Sequence, residues 1–209
     1  MAVALVFPRA SRAVLREAPP GARLVAVDGG ADAAYDAGLR PDVVVGDMDS
    51  VRPATLARCE AEGVPLRRHP ARKRDSDAKL ALAEARPDEE IVFLGPGGGR
   101  ADHALANLHL LAALDGRGRA VDDDAWTWIV SPARPLALDL PPGATVSVLP
   151  FDARVEGIRY EGLEYHLQDA TMEAGDPYGL SNAASARRQR IEVASGRLVV
   201  MAPRFVART

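Results

Sequence analysis

An α/β domain built on a mainly parallel sheet, followed by an all-β, sandwich-like domain, is the architecture this sequence predicts, and three observations predict it. In the first half, short β-type apolar runs alternate with helical patterns, the rhythm of βαβ units. After about Gly116 the helical patterns stop, and strand-like runs follow one another across turns containing Pro and Gly. The 209 residues are 47% apolar, enough for one large core or two modest ones.

Taken in order, Val3–Phe7, Leu24–Val27, Val43–Val45 and Ile91–Leu94 read as the parallel strands, each ending in turn residues. Helices are predicted at Pro53–Glu62, Asp77–Ala85 and Ala101–Leu114; in the last, Ala104, Leu108 and Leu111 share one face that should pack on the sheet. The charged, small-residue stretch from Gly116 to Asp124 marks the domain boundary, dividing the chain into 1–118 and 119–209. Beyond it, Trp126–Val130, Leu136–Leu138, Thr145–Leu149, Arg154–Ile158, Arg190–Val193 and Leu198–Met201 read as antiparallel strands. Tyr165 to Ala186 is long and poorly patterned, which makes it a candidate ligand loop.

Composition narrows the function. With 26 basic and 29 acidic residues the net charge is −3, so there is no general attraction to nucleic acid or anionic lipid, and an anionic ligand must be held locally. Cys59 is the only cysteine, which excludes a disulfide framework and a thiolate metal cluster. Met1 to Phe7 lacks the basic start and cleavage site of a secretory signal, and no apolar run reaches the roughly 20 residues of a membrane span. A soluble, cytoplasmic protein is expected.

In open parallel sheets ligands bind beyond the carboxyl ends of the strands. Three such ends are loaded here: Asp28-Gly29-Gly30-Ala31, Gly46-Asp47-Met48-Asp49-Ser50, and Gly95-Pro96-Gly97-Gly98-Gly99-Arg100-Ala101-Asp102-His103. Glycines let backbone N–H groups approach phosphate oxygens, and a helix start adds favourable partial charge. The third turn lacks the Gly-Lys-Ser/Thr ending of a Walker loop and the spacing of a dinucleotide fingerprint. Arg100, His103 and Asn107 project from one face of the following helix, and Arg100 can grip a phosphate through its planar fork. Asp102 either caps that helix or orients a partner. Asp47 and Asp49, one residue apart in a strand-end turn, suit either local turn hydrogen bonds or one hard cation and the phosphates it bridges. Lys73-Arg74-Asp75-Ser76-Asp77 precedes a helix and reads as a cap or as part of the same site. At least four carboxylates, three cations and a glycine turn on one sheet edge make a metal–polyphosphate site.

In order and spacing, these four segments, the last continuing through Ala104-Leu105-Ala106-Asn107, resemble the thiamine pyrophosphokinase family. The resemblance extends to the second half through Val146-Ser147-Val148-Leu149-Pro150, Glu161-Gly162-Leu163-Glu164-Tyr165-His166-Leu167 and Gly179-Leu180-Ser181-Asn182. It implies an α/β catalytic domain and a β-sandwich thiamine-binding domain, acting as a homodimer with sites at the subunit interface. The implied reaction is transfer of a diphosphate from ATP to the hydroxyethyl group of thiamine, with Mg2+. By the same resemblance Asp47, Asp49 and Asp77 hold the metal, and Arg100 and Asp102 form the diphosphate-side catalytic pair. Asp28, Gly29, Gly30, Lys73, Ser76, Gly98, Gly99, His103 and Asn107 contact ATP, and Tyr165, Ser181 and Asn182 contact thiamine. The general base is open among Asp77, Asp102 and His103.

Two departures bear on substrate preference or catalytic strength: Arg74 and Ser76 stand where the family usually has Asp or Asn and Thr, and Asp32 stands where Asn is frequent. Asp75 is one residue away from the replaced acid or amide. The alternatives are a diphosphokinase for another hydroxymethyl heterocycle, such as a pterin, and a non-catalytic thiamine or nucleotide binder.

Overall fold

A computed structural model describes residues 1–176 and 178–204 and separates them into two compact units. The first is Met1–Leu110 with Ala120–Asp123, and the second is Leu111–Arg119 with residues 124–204. Residues 205–209 lie outside the described set, as does Pro177 within the candidate ligand loop. Among the described residues, no helix is long and apolar enough to cross a membrane.

The first unit holds strands β1 (Ala2–Val6), β2 (Arg23–Val27), β3 (Val43–Gly46), β4 (Leu66–Arg68) and β5 (Glu90–Leu94), in spatial order β5-β1-β2-β3-β4. All four of those pairings are parallel. Such a sheet is covered on both faces, which explains why β1, β2, β3 and β5 are mostly Val, Ala, Leu and Ile rather than alternating. Val3 to Val6 and Val92 to Leu94 are fully buried. The helices are α1 (Arg12–Leu15), α2 (Gly30–Asp36), α3 (Pro53–Ala61), α4 (Asp77–Leu82) and α5 (Ala101–Ala112), with β6 (Gly118–Val121) next to β5 in the sheet.

Each predicted strand and helix of this unit is present, with no end moved by more than three residues. The sequence reading does not contain β4, β6, α1 and α2; β6 lies in the stretch from Gly116 to Asp124 that was read as the domain boundary. β4 is three residues long, two of them Arg, and sits at the sheet edge. The helix α2 opens on a glycine, where a turn was expected. Gly30 is required there by contact: a Cβ would lie 1.9 Å from the Val6 carbonyl oxygen, so an alanine would push α2 off the end of β1.

The second unit is a sandwich of two antiparallel sheets. One runs β12-β9-β14-β7 and the other β11-β10-β13-β8. Their strands are β7 (Ala125–Val130), β8 (Leu136–Asp139), β9 (Thr145–Pro150), β10 (Arg154–Glu161), β11 (Ala170–Glu173), β12 (Asn182–Ala183), β13 (Arg188–Glu192) and β14 (Leu198–Pro203). Val130, Val146, Val148, Leu198 and Val200 of the first sheet meet Val155, Ile158, Tyr160, Met172 and Ile191 of the second in one core. β10 alternates as this arrangement demands from Ile158 to Glu161, and a register shift between Val155 and Ile158 brings Val155 inward as well. The loop expected over Tyr165 to Ala186 contains two short strands, β11 and β12, and β11 buries Met172.

Candidate functional site

The carboxyl ends of β1, β2 and β3 and the start of α5 surround a cleft of about 680 Å³ in the first unit. Asp28, Asp47, Asp49, Lys73, Asp75, Ser76, Asp77, Arg100, Asp102, His103 and Asn107 all line it. Five segments widely separated in sequence, 7–8, 27–28, 47–50, 71–78 and 100–107, are thus brought to one place by the parallel topology.

Asp28 follows β2 with a left-handed backbone, φ 46°. Its carboxylate accepts hydrogen bonds from the Met48 N–H at 3.0 Å and from the Ser50 hydroxyl, which ties the β2 loop to the β3 loop. In that second loop Met48 is also left-handed, at φ 68°, a conformation that costs a non-glycine residue about 1–3 kcal/mol. Asp47 and Asp49 flank it, and Asp47 accepts from the Asp49 N–H at 3.1 Å. One carboxylate oxygen from each of Asp28, Asp47 and Asp49 lies within 4.8 Å of the others. The neighbouring Asp47 charge, followed by partial desolvation and the Asp28 charge, raises the Asp49 carboxyl above its ordinary value. Hard oxygen donors gathered at this spacing suit a small divalent cation.

Asp77, expected in that cluster, lines the cleft but engages a different partner. Lys73 Nζ lies 2.7 Å from Asp77 and 4.0 Å from Asp47. Burial works to lower the Lys73 ammonium, but Asp77, Asp47 and Asp28 outweigh it and raise the group, which stays charged. Ser76 lines the cleft and caps α4 by accepting from the Lys79 N–H. Asp75 lines the cleft too and pairs with Lys79 at 2.6 Å, whereas Arg74 is exposed and outside the lining. Asp32 is also outside it, paired with Arg52 at 3.2 Å.

At the third turn, Gly97 N–H donates to Asp122 at 2.9 Å, and the buried Asn107 side chain donates to the Pro96 carbonyl at 2.9 Å. Asn107 therefore fixes the turn as well as lining the cleft. Arg100 donates to both oxygens of Asp102, from Nε at 3.0 Å and Nη2 at 2.6 Å. That fork is the main reason the Asp102 carboxyl is held at about 2, with the His103 N–H donating to the same group. Asp102 is consequently a weak base, and Nη1 of Arg100 remains for a ligand.

The residues expected to touch thiamine lie in the second unit. The Tyr165 side chain is largely exposed, and the buried Asn182 side chain accepts from the Tyr165 N–H and donates to its carbonyl. Asn182 thus clamps the backbone that presents Tyr165. Ser181 is left-handed, at φ 56°, and its N–H donates to the Ser147 hydroxyl at 3.2 Å. Gly179 lies so close to β9 that a Cβ would sit 1.7 Å from the Val148 carbonyl oxygen.

The sequence reading placed Asp28 at the nucleotide and did not group it with Asp47 and Asp49. It also omitted Ser50. The signal available was an Asp directly after a strand and before Gly29-Gly30, but only the fold, with Asp28 left-handed, turns that carboxylate across to the β3 loop.

Two family models match successive parts of the chain. Residues 21–121 match the family model "Thiamin pyrophosphokinase, catalytic domain", and residues 136–198 match "Thiamin pyrophosphokinase, vitamin B1 binding domain". The curated thiamine pyrophosphokinase of Bacillus subtilis is 27% identical over 190 residues, covering 85% of each chain. Among solved structures, a Bacillus subtilis thiamine pyrophosphokinase superposes with a TM-score of 0.86 at 22% identity, covering 99% of this chain and 100% of that one. Yeast thiamin pyrophosphokinase gives 0.77 at 13% identity, covering 98% and 86%. At those identities the structural likeness establishes the fold.

Proposed function

The chain belongs to the thiamine pyrophosphokinase family, and we infer from that membership and from the strand-end cleft that it transfers the diphosphate of ATP to thiamine, yielding thiamine diphosphate and AMP. The observation that carries the reading is the convergence of three acidic side chains, Lys73 and Arg100, which follows the Gly98-Gly99 turn, in one cleft.

Asp28, Asp47 and Asp49 would hold Mg2+, whose role is to neutralise phosphate charge and fix the diphosphate for attack. Asp77 holds Lys73 in place, and Lys73 and Arg100 face the phosphate oxygens. The thiamine hydroxyl oxygen forms a bond to the β-phosphorus as the bond from that phosphorus to the AMP oxygen breaks, and the hydroxyl proton leaves to a base. Asp102, held at about 2 by Arg100, is the weakest of the three base candidates, leaving Asp77 and His103. Because the acceptor is an unactivated alcohol, alignment and charge stabilisation supply most of the rate.

Tyr165 and Ser181 contact thiamine, and the working unit is a homodimer in the cytoplasm with its sites at the subunit interface. Exposed Tyr165, Tyr178 and Leu180 on one segment of the second unit support a partner surface there. Sedimentation should give twice the chain mass at micromolar concentration; a monomer that binds thiamine at full affinity would contradict the shared site.

Turnover with Mg-ATP and either thiamine or a hydroxymethylpterin tests the acceptor. Thiamine should be used and the pterin should not. Turnover of the pterin alone would replace the acceptor, and tight thiamine binding without turnover would make the chain a binder.

A further inference from the structure

We propose that Arg9 is a second guanidinium for the ATP polyphosphate, laid along the glycine turn opposite Arg100. The inference rests on the diphosphokinase reading and adds a residue that lies before the matched catalytic segment, which begins at residue 21.

Arg9 follows β1, the strand flanked by β5 and β2, on the loop whose Phe7 and Pro8 line the cleft. Its stem rests on the bare backbone of Gly98 and Gly99. A Cβ at Gly98 would lie 2.4 Å from Arg9 Cβ, and one at Gly99 would lie 3.1 Å from Nε and 3.9 Å from Cζ. The absence of side chains at those two positions is what lets the arginine lie there, so two of the turn's glycines serve Arg9 as well as the backbone.

Among the described residues the charge of Arg9 meets no carboxylate, which it shares with Arg12, Arg16, Arg68, Arg72 and Arg74; its place on the glycine turn is what sets it apart. Arg23, Arg40, Arg52, Arg58, Arg67 and Arg100 of the first unit each meet a carboxylate. Arg9 is exposed and meets none among the described residues; the acids bonded to the adjoining loop and turn are Asp123, at Ser11, and Asp122, at Gly97. Those two acids are engaged elsewhere: Asp122 accepts from the Gly97 N–H, and Asp123 accepts from the Ser11 hydroxyl. A free guanidinium fork beside a turn that presents the amides of Gly98 and Gly99 matches a phosphate chain, whose oxygens take paired N–H donors. Arg100 follows the same two glycines, so the two arginines would hold the phosphates from the two sides of the turn.

The test compares the full-length protein with its Arg9→Gln, Arg9→Lys and Arg16→Gln variants; Arg16 is an exposed arginine away from the cleft and controls for net charge. Two probes are titrated as competitors of Mg-ATP: inorganic tripolyphosphate, which has no nucleoside, and AMP, which lacks the outer phosphates. Arg9→Gln should raise KM for ATP and the inhibition constant of tripolyphosphate about tenfold, leaving KM for thiamine and the melting temperature unchanged. Arg9→Lys should recover part of the loss, and Arg16→Gln should behave as the parent. An unchanged tripolyphosphate constant in Arg9→Gln, or an equal rise for AMP, overturns the assignment. Should the parent fail to turn over thiamine, the diphosphokinase reading falls, and calorimetric binding of tripolyphosphate to the parent and Arg9→Gln still decides the role of Arg9 by the same tenfold criterion.

Discussion

Replacing either Asp47 or Asp49 by Asn is expected to lower kcat by at least about 10²-fold, the scale of losing one preorganised electrostatic contact in a charged transition state. Each contributes an oxygen to the cluster completed by Asp28, and an amide keeps the shape while removing the charge. Excess Mg2+ should restore part of the activity if the lost function is cation binding. The two variants also differ in a predictable way. The Asp47 charge is the largest cause of the raised Asp49 carboxyl, so its removal lets Asp49 ionise at lower pH. In the parent, Mg2+ affinity should weaken as pH falls through that raised value; in Asp47→Asn the weakening should begin at lower pH. Titration of Mg2+ binding against pH reads this directly. Near-normal kcat for both variants at low magnesium would remove the carboxylates from the site.

Arg100→Ala is expected to cost about 10²–10³-fold in kcat/KM for ATP, and Arg100→Lys about tenfold, since lysine keeps the charge and loses the fork. The Arg100 and Asp102 side chains are 72% and 62% exposed, so their pairing contributes little to stability. Thermal melting should therefore stay where it is while activity falls. A parallel loss of melting temperature would mean that the fork holds the start of α5 and does not serve the phosphates.

The parts of this site that were legible in the sequence are those that depend on local pattern. β2, β3 and β5 end in Asp28-Gly29-Gly30, Gly46-Asp47 and Gly95-Pro96-Gly97, and an apolar run followed by such turns is readable from spacing alone. Which carboxylates converge was not readable. Asp28 joins Asp47 and Asp49 through a left-handed backbone and a hydrogen bond accepted from the Met48 N–H across two loops, while Asp77 pairs with Lys73, four residues before it. The polar stripe on α5 was read correctly as a stripe, yet Asn107 turns out to be buried against the Pro96 carbonyl, a tertiary contact with no sequence signal. β4 escaped because an edge strand of Leu66-Arg67-Arg68 has no apolar run, β11 because Ala170-Thr171-Met172-Glu173 buries a single large apolar side chain, and β12 because it is two residues long. The departures at Arg74 and Asp32 both fall outside the cleft lining, and Asp75 lies within it, so the acidic character of that segment is retained one residue on.

The central claim is that the β-phosphorus of ATP is attacked and a diphosphate moves whole. The cleft has no Walker lysine after its glycines; Gly99 is followed by Arg100 and Ala101. Chromatography of a reaction containing the protein, ATP, magnesium and thiamine tests this most directly. Thiamine diphosphate and AMP should rise together in equal amounts from the first turnover, with no thiamine monophosphate preceding them. ADP and thiamine monophosphate as the first products would contradict the account.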